Sequence, residues 1–184
     1  MIEVIDNALD DPLFKSILDI IENNYFPWYL SKDIVDTNKF KNGIQTFQLT
    51  HTLFYNSKDD NNLEDNSPHT NFIHKLIVPF LAKKKINGDI VRSKFNLMFP
   101  NSKINKKEDH NISHIDLKEP HYSILLYMND SDGDTIFFKD NGKIELKRIT
   151  PKSNRMVISD ELYHTSTNPI KSDFRIVLNI VVRK

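Results

Sequence analysis

Apolar residues recur at helical spacing in two early stretches of the chain and at strand spacing later on. Leu13, Phe14, Ile17, Leu18, Ile20 and Ile21 follow Asp10, Asp11 and Pro12, an acidic cap with proline in the first turn, and predict a helix to about Asn24. Phe72, Ile73, Leu76, Ile77, Phe80 and Leu81 predict a second helix from Thr70 to Lys84, kinked or interrupted where Pro79 removes a backbone donor. Between them, Asn56 to Pro68 is rich in Asn and Asp and reads as a loop. From Ile90 onward the signals are those of strands. Asp140-Asn141-Gly142 separates Thr135-Ile136-Phe137-Phe138 from Ile144-Glu145-Leu146, a hairpin cue because Asn-Gly tolerates the positive φ of a tight turn. Helices followed by many short strands predict an α+β chain whose later half is a double-layer jelly roll.

The closing segment alternates most clearly. Ile176, Leu178, Ile180 and Val182 fall on one face, which belongs under a helical layer; Arg175, Val177, Asn179 and Val181 fall on the other. An arginine and an asparagine among valines suit a wall that lines a cavity holding something anionic. The plainer alternative puts Arg175 at a strand end with its head in water. Tyr25, Phe26, Pro27, Trp28 and Tyr29 form an aromatic cluster that packs where helix meets sheet, or else borders a substrate groove.

Candidate chemistry begins at His114-Ile115-Asp116. In an extended segment, alternate side chains share a side, so imidazole and carboxylate can meet one cation. His164 would complete a set of two histidines and one carboxylate, which leaves the other positions of an octahedral metal open for reaction. A structural zinc site more often uses cysteine, and the chain has none. His-x-Asp alone is a weak signal in a chain with 7 histidines, and His110 and His121 are close enough to compete.

In order and spacing, these residues resemble the iron(II)- and 2-oxoglutarate-dependent oxygenases, in particular the prolyl 4-hydroxylase-like branch. The resemblance runs through His114-Ile115-Asp116, Tyr122 to Asn129, Gly133-Asp134-Thr135-Ile136-Phe137-Phe138, Ile149 to Ile158, His164-Thr165-Ser166 and Phe174 to Asn179, roughly Val91 to Val182. The first ninety residues are similar, more weakly, to oxygenases of this type encoded by marine phages, through Phe26-Pro27-Trp28-Tyr29, Phe47 to His51 and Arg92 to Leu97. The resemblance implies a double-stranded β-helix, cupin-like, with N-terminal helices packed on the outer sheet. A length of 184 residues suffices to bury one core and nothing suggests two, so one domain is expected over 1–184, with 1–89 a helical support region and 90–184 the catalytic core. The resemblance implies Fe(II) on His114, Asp116 and His164, with 2-oxoglutarate and O2 as cosubstrates and ascorbate as a reductant. Arg175 matches the basic residue that grips the distal carboxylate of 2-oxoglutarate, and Asn179 is a weaker support; Tyr127 matches the tyrosine that contacts the same carboxylate, the alternative being a core tyrosine with its hydroxyl bonded to backbone. Arg92 and Asn96 could face substrate or cosubstrate, although a plain surface strand explains them nearly as well. The chain departs from the family pattern at Gly133-Asp134, where the family has Gly-Gly, and in a slightly long gap from His164 to Arg175.

The activity so implied is hydroxylation of a C–H bond, of a peptidyl proline or another amino-acid side chain or of a small molecule, with release of succinate and CO2. Two other classes stay open: a non-redox cupin-like metal protein acting as isomerase or hydrolase, and a jelly-roll binding module without chemistry. A formal net charge of +0 over 184 residues gives no footprint for nonspecific nucleic-acid binding or for an anionic membrane. Lys83-Lys84-Lys85 and Lys103 to Lys107 are short basic stretches that read as solvated ends or loops. The start, Met1-Ile2-Glu3-Val4-Ile5-Asp6, lacks a secretory signal and no apolar run reaches membrane length, which together with the missing cysteines fits a reducing cytoplasm, that of a phage host included.

Overall fold

The structure, a computed structural model, describes residues 1–35, 38–39, 42–56, 67–104, 106 and 109–184, together with the backbone of Leu63–Asp65. Helix α1 (Asp11–Ile21) starts as expected, with the Asp10 carbonyl accepting from Leu13 and Phe14; the Asp10 carboxylate itself makes no cap bond. Its Phe14, Ile17 and Ile21 recur every three to four residues and are buried. Helix α2 (Thr70–Lys83) runs through Pro79 as one element, so of the two expected effects, kink or interruption, the interruption does not occur. Pro79 lies on the exposed side, while Ile73, Ile77 and Leu81 on the buried side hold the rod in place. The Thr70 hydroxyl fixes the start of α2 by donating to the Leu53 carbonyl at 2.6 Å.

Among the described residues eight strands form one antiparallel sheet. Its order is β1 (Ile2–Ile5), β9 (Met156–Asp160), β6 (His121–Tyr127), β11 (Arg175–Arg183), β5 (Asp89–Met98), β3 (Gln48–Asn56) and β2 (Tyr29–Ser31), with β4 (Leu63–Asp65) also paired to β3. A smaller sheet has the order β10 (Tyr163–Ser166), β7 (Thr135–Lys139) and β8 (Ile144–Ile149). The β7–β8 turn is the expected one: Asp140, Asn141 and Gly142 all have positive φ. This mostly antiparallel sheet pair with two helices is consistent with a jelly roll.

Two apolar clusters divide the interior. Phe14, Ile17, Ile73, Ile77 and Leu81 of the helices share one cluster with Phe95, Ile124, Leu126, Ile158, Leu178, Ile180 and Val182 of the large sheet. Leu125, Tyr127, Val157 and Val177 of the large sheet meet Phe137 and Ile149 of the small one in the second. Strict alternation sends neighbouring residues of each strand into different clusters. The aromatic run of residues 25–29 is split the same way. Phe26 and Trp28 pack edge-on against Phe95, whereas Tyr25 and Tyr29 are exposed.

The first 89 residues are more than a helical support, because β3 pairs along β5 and so carries the large sheet across the expected boundary at 90. The polar stretch Asn56 to Pro68 is likewise not all loop: Leu63–Asp65 pairs with β3, and residues 57–62 and 66 lie outside the described residues. Of Lys103 to Lys107, residues 105 and 107 also lie outside them. Among the described residues no helix is long and apolar enough to cross a membrane.

Candidate metal and anion site

Between the sheets lies a cavity of about 230 Å³, walled by alternate residues of β5 and β11 and by the His114 segment and β10 opposite. His114 is not in a regular strand. It is joined to His164 by a pair of backbone hydrogen bonds, His114 N–H to the His164 carbonyl at 3.0 Å and the reverse at 2.8 Å. That bridge places the two imidazoles side by side, with ring centroids 4.8 Å apart. Each ring is steered alike: Nδ1 of His114 faces the Ile112 carbonyl at 3.3 Å and Nδ1 of His164 faces the Leu162 carbonyl at 3.0 Å. With Nδ1–H donating to backbone, Nε2 of both rings turns to the Asp116 carboxylate, at 3.9 and 3.6 Å.

Asp116 is held by the large sheet. Ser123 of β6 donates to Oδ2 at 2.6 Å, and Arg92 of β5 pairs with Oδ1. Burial alone would raise this carboxyl, but Arg92, His164, His114 and the Ser123 hydroxyl outweigh it and hold Asp116 well below the ordinary carboxylate range. Burial, then the neighbouring His164, pulls His114 down to about 3 against the opposing pull of Asp116, so its ring is neutral at physiological pH. Two imidazoles and an ionised carboxylate, with donor atoms all within 4.8 Å of one another, are a fitting set for a borderline divalent cation. Ligands at about 2.1 Å from one cation and at right angles to each other lie roughly 3 Å apart, so small inward shifts close the set. Each Asp116 oxygen keeps lone pairs beyond the bond it already accepts.

Arg175 opens β11 at another point of the same cavity and is only 3% exposed. Its Nε donates to the Gly133 carbonyl at 2.8 Å, its Nη2 to the Thr135 hydroxyl at 2.9 Å, and its Nη1 approaches the Met98 sulfur at 3.9 Å. Among the described residues no carboxylate pairs with it. Burial lowers its pKa, but a guanidinium stays charged. The Asp134 carboxylate and the Tyr127 ring, whose centroid is 5.5 Å from Cζ, offset this charge without a direct ion pair, and a carboxylate ligand would supply one. Gly133 makes the approach possible: a Cβ there would stand 2.9 Å from Cδ of Arg175 and 3.0 Å from the Thr167 carbonyl. The long connection from His164 to Arg175 is clasped by Asp132, which accepts backbone N–H bonds from Ile170, Lys171 and Ser172. Asp134, in place of a second glycine, turns its carboxylate toward Arg148 at 3.5 Å.

His114, Asp116, His164, Arg175, Asn179, Arg92 and Asn96 all line the cavity. Tyr127 does not. It is fully buried, and its hydroxyl donates at 2.7 Å to Thr135, which does line the cavity. Thr135 accepts from both Tyr127 and Arg175, which leaves its own O–H as a donor at the cavity wall. Asn96 and Asn179 each carry a buried Oδ1 with no partner. The competing histidines lie elsewhere: His110 packs on Phe138 with ring centroids 5.3 Å apart, and Nδ1 of His121 faces the Glu119 carbonyl at 2.8 Å. Thr135, Lys94, Gln48 and Met98 are cavity residues that sequence reasoning missed. Lys94 had a signal, since it alternates with Arg92 and Asn96 on one face of β5.

No protein-family model and no curated protein matches the chain by sequence. Its structural neighbours are 2-oxoglutarate–Fe(II) oxygenases, prolyl 4-hydroxylases among them. A 2OG-Fe(II) oxygenase family oxidoreductase from Burkholderia pseudomallei superposes with TM-score 0.74 at 12% identity, over 100% of this chain and 85% of that one. A prolyl-4-hydroxylase from Pseudomonas putida gives 0.60 at 12% identity, over 100% and 92%. A prolyl hydroxylase from Trichoplax adhaerens, in complex with a peptide fragment of the hypoxia inducible factor oxygen degradation domain, gives 0.63 at 13% identity, over 99% and 83%. At such identities the likeness is one of fold.

Proposed function

We propose that the chain is an Fe(II)- and 2-oxoglutarate-dependent dioxygenase that hydroxylates a C–H bond of an amino-acid side chain, a peptidyl proline included. The observation that carries this reading is the meeting, in one cavity, of the His114–Asp116–His164 set with the buried guanidinium of Arg175, which no carboxylate pairs directly among the described residues. A cupin-like isomerase or hydrolase would need the first and has no use for the second.

When bound, Fe(II) with 2-oxoglutarate and O2 supplies the oxidising power, and the cosubstrate leaves as succinate and CO2. The protein's own part is placement. His114 and His164 would hold the metal through Nε2 and Asp116 through its carboxylate, with the Ile112 and Leu162 carbonyls fixing the rings and Ser123 fixing the carboxylate. Arg175 and Thr135 would grip the distal carboxylate with two N–H or O–H donors, and Tyr127 would act through Thr135 by occupying one of its lone pairs. Leu125, Val177 and Met98 line the cavity and keep that ion pair away from water. Asn179 supports the same wall.

Fe(II)-loaded protein given 2-oxoglutarate in air should form succinate slowly even without substrate, and His164→Ala should abolish both metal binding and succinate. A wild-type protein that binds one Fe(II) per chain and makes no succinate refutes the oxygenase and favours the cupin-like reading.

A further inference from the structure

The cavity holds more positive charge than the proposed cosubstrate uses. Arg92, Lys94 and Arg175 line it against the single carboxylate of Asp116. Arg92 is paired with Asp116, and Arg175 has a task under the proposed function. Lys94 has none. It stands opposite Asn179 in the β5–β11 register, and its ammonium makes no hydrogen bond or ion pair to any described residue. Burial, with the Arg92 charge added, pulls it down to about 8 against the pull of Asp116, which leaves it protonated near neutrality and poorly compensated.

Beside it are the two orphaned acceptors, Oδ1 of Asn179 directly across the register and Oδ1 of Asn96 two residues along β5. They ask for a donor. 2-Oxoglutarate has only acceptors at neutral pH, so it cannot satisfy them. The molecule that fits this wall therefore brings a carboxylate for Lys94 and an N–H or ammonium for the two amides.

We propose that Lys94, with Asn96 and Asn179, is the substrate-recognition site, and that it reads a carboxylate lying beside an N–H donor. This rests on the proposed function for the word substrate. The chemistry has two sources: a free α-amino acid, through its carboxylate and ammonium, or an acidic residue of a peptide, through its side-chain carboxylate and backbone N–H.

The test is calorimetry on the Mn(II) protein. Titration of 2-oxoglutarate comes first and reports on the proposed function alone. Into the resulting complex go free L-amino acids against their C-terminal amides, and N-acetyl aspartyl and glutamyl amides against their asparaginyl and glutaminyl counterparts. The carboxylate member of the recognised pair should bind at least tenfold more tightly, and which set responds identifies the source. Lys94→Met should collapse that preference to within a factor of two, while Lys94→Arg, which keeps the charge, should restore it; retained Mn(II) binding certifies that both variants are folded. The proposal is overturned if no carboxylate probe binds, if Lys94→Met keeps the preference, or if its main effect is a tenfold loss of 2-oxoglutarate affinity, which would assign Lys94 to the cosubstrate. Should 2-oxoglutarate itself fail to bind, the proposed function falls, and the same panel titrated into the Mn(II) protein still decides whether Lys94 selects carboxylates.

Discussion

The two faces of β11 are about equally shut off from water, yet different forces hold them. Leu178, Ile180 and Val182 share one apolar cluster with helix residues and with residues of β6 and β9, so their buried side chains have apolar neighbours. Arg175, Val177 and Asn179 meet a cavity, and there the buried groups include a cation that no carboxylate pairs directly among the described residues and an amide oxygen without a donor. Burial is the same and satisfaction is not. The first face has what it needs from the chain; the second is completed by something the chain does not supply, which is the physical sense in which it is a site.

The comparison breaks most visibly at its apolar side. Leu178→Ala leaves a void under two helices and should cost about 2–5 kcal/mol of stability, read as a lower urea midpoint with an unchanged slope. The folded fraction should still bind 2-oxoglutarate as tightly as wild type. A stability loss under 1 kcal/mol would mean that the helix layer does not depend on this face.

Arg175→Met inverts the pattern. The methionine keeps the length and removes a buried charge, so stability of the ligand-free protein should hold or rise. Affinity for 2-oxoglutarate in the Mn(II) form should fall by about 2–4 kcal/mol, a loss of well over tenfold. Unchanged affinity in calorimetry would return Arg175 to a structural role and remove the main argument against the cupin-like reading.

The alternation that separates these faces was legible in the sequence from Arg175 to Val182, as were the Asp140-Asn141-Gly142 turn and the histidines with Asp116. Local chemistry determines such features. The contribution of β3 was not legible, because a strand reveals its partner only through pairing, and here the register shifts between Thr52 and Phe54. Nor was the division between Tyr127 and Thr135: both lie on cavity-side faces of their strands, and only the spacing between sheets shows that the threonine lines the cavity and the tyrosine does not. That Pro79 leaves α2 uninterrupted was not legible for a third reason, since the rule that proline breaks helices is local and the packing of Ile73, Ile77 and Leu81 is not.

A smaller effect sharpens the comparison from the polar side. If the Oδ1 of Asn179 is a cost borne for a ligand, Asn179→Leu should stabilise the ligand-free protein by about 1 kcal/mol, the range expected for removing an unsatisfied buried acceptor. Thermal melts with and without bound ligand check it: the variant should gain in the first state and lose that gain in the second. A destabilised ligand-free variant would show that Asn179 is already satisfied by water.

The smallest effect concerns the loop that delivers Arg175 to the cavity. Asp132 accepts the backbone N–H groups of Ile170, Lys171 and Ser172, and although burial opposes ionisation, these bonds and the Ser172 hydroxyl hold its carboxyl below the ordinary value of 3.8. A carboxyl with a depressed folded-state pKa contributes stability that is fully present above its unfolded pKa, near 4, and is lost as pH falls through the lower folded value. Asp132→Asn should therefore melt below wild type at pH 7 and at pH 5 by the same margin, and the margin should shrink toward zero as pH falls below 4. The helix-packed face of β11 has no such clasp, so Leu178→Ala should show a stability deficit independent of pH across that range. If Asp132→Asn instead shows a constant deficit down to pH 2, the amide has lost geometry rather than charge, and the loop is held by shape alone.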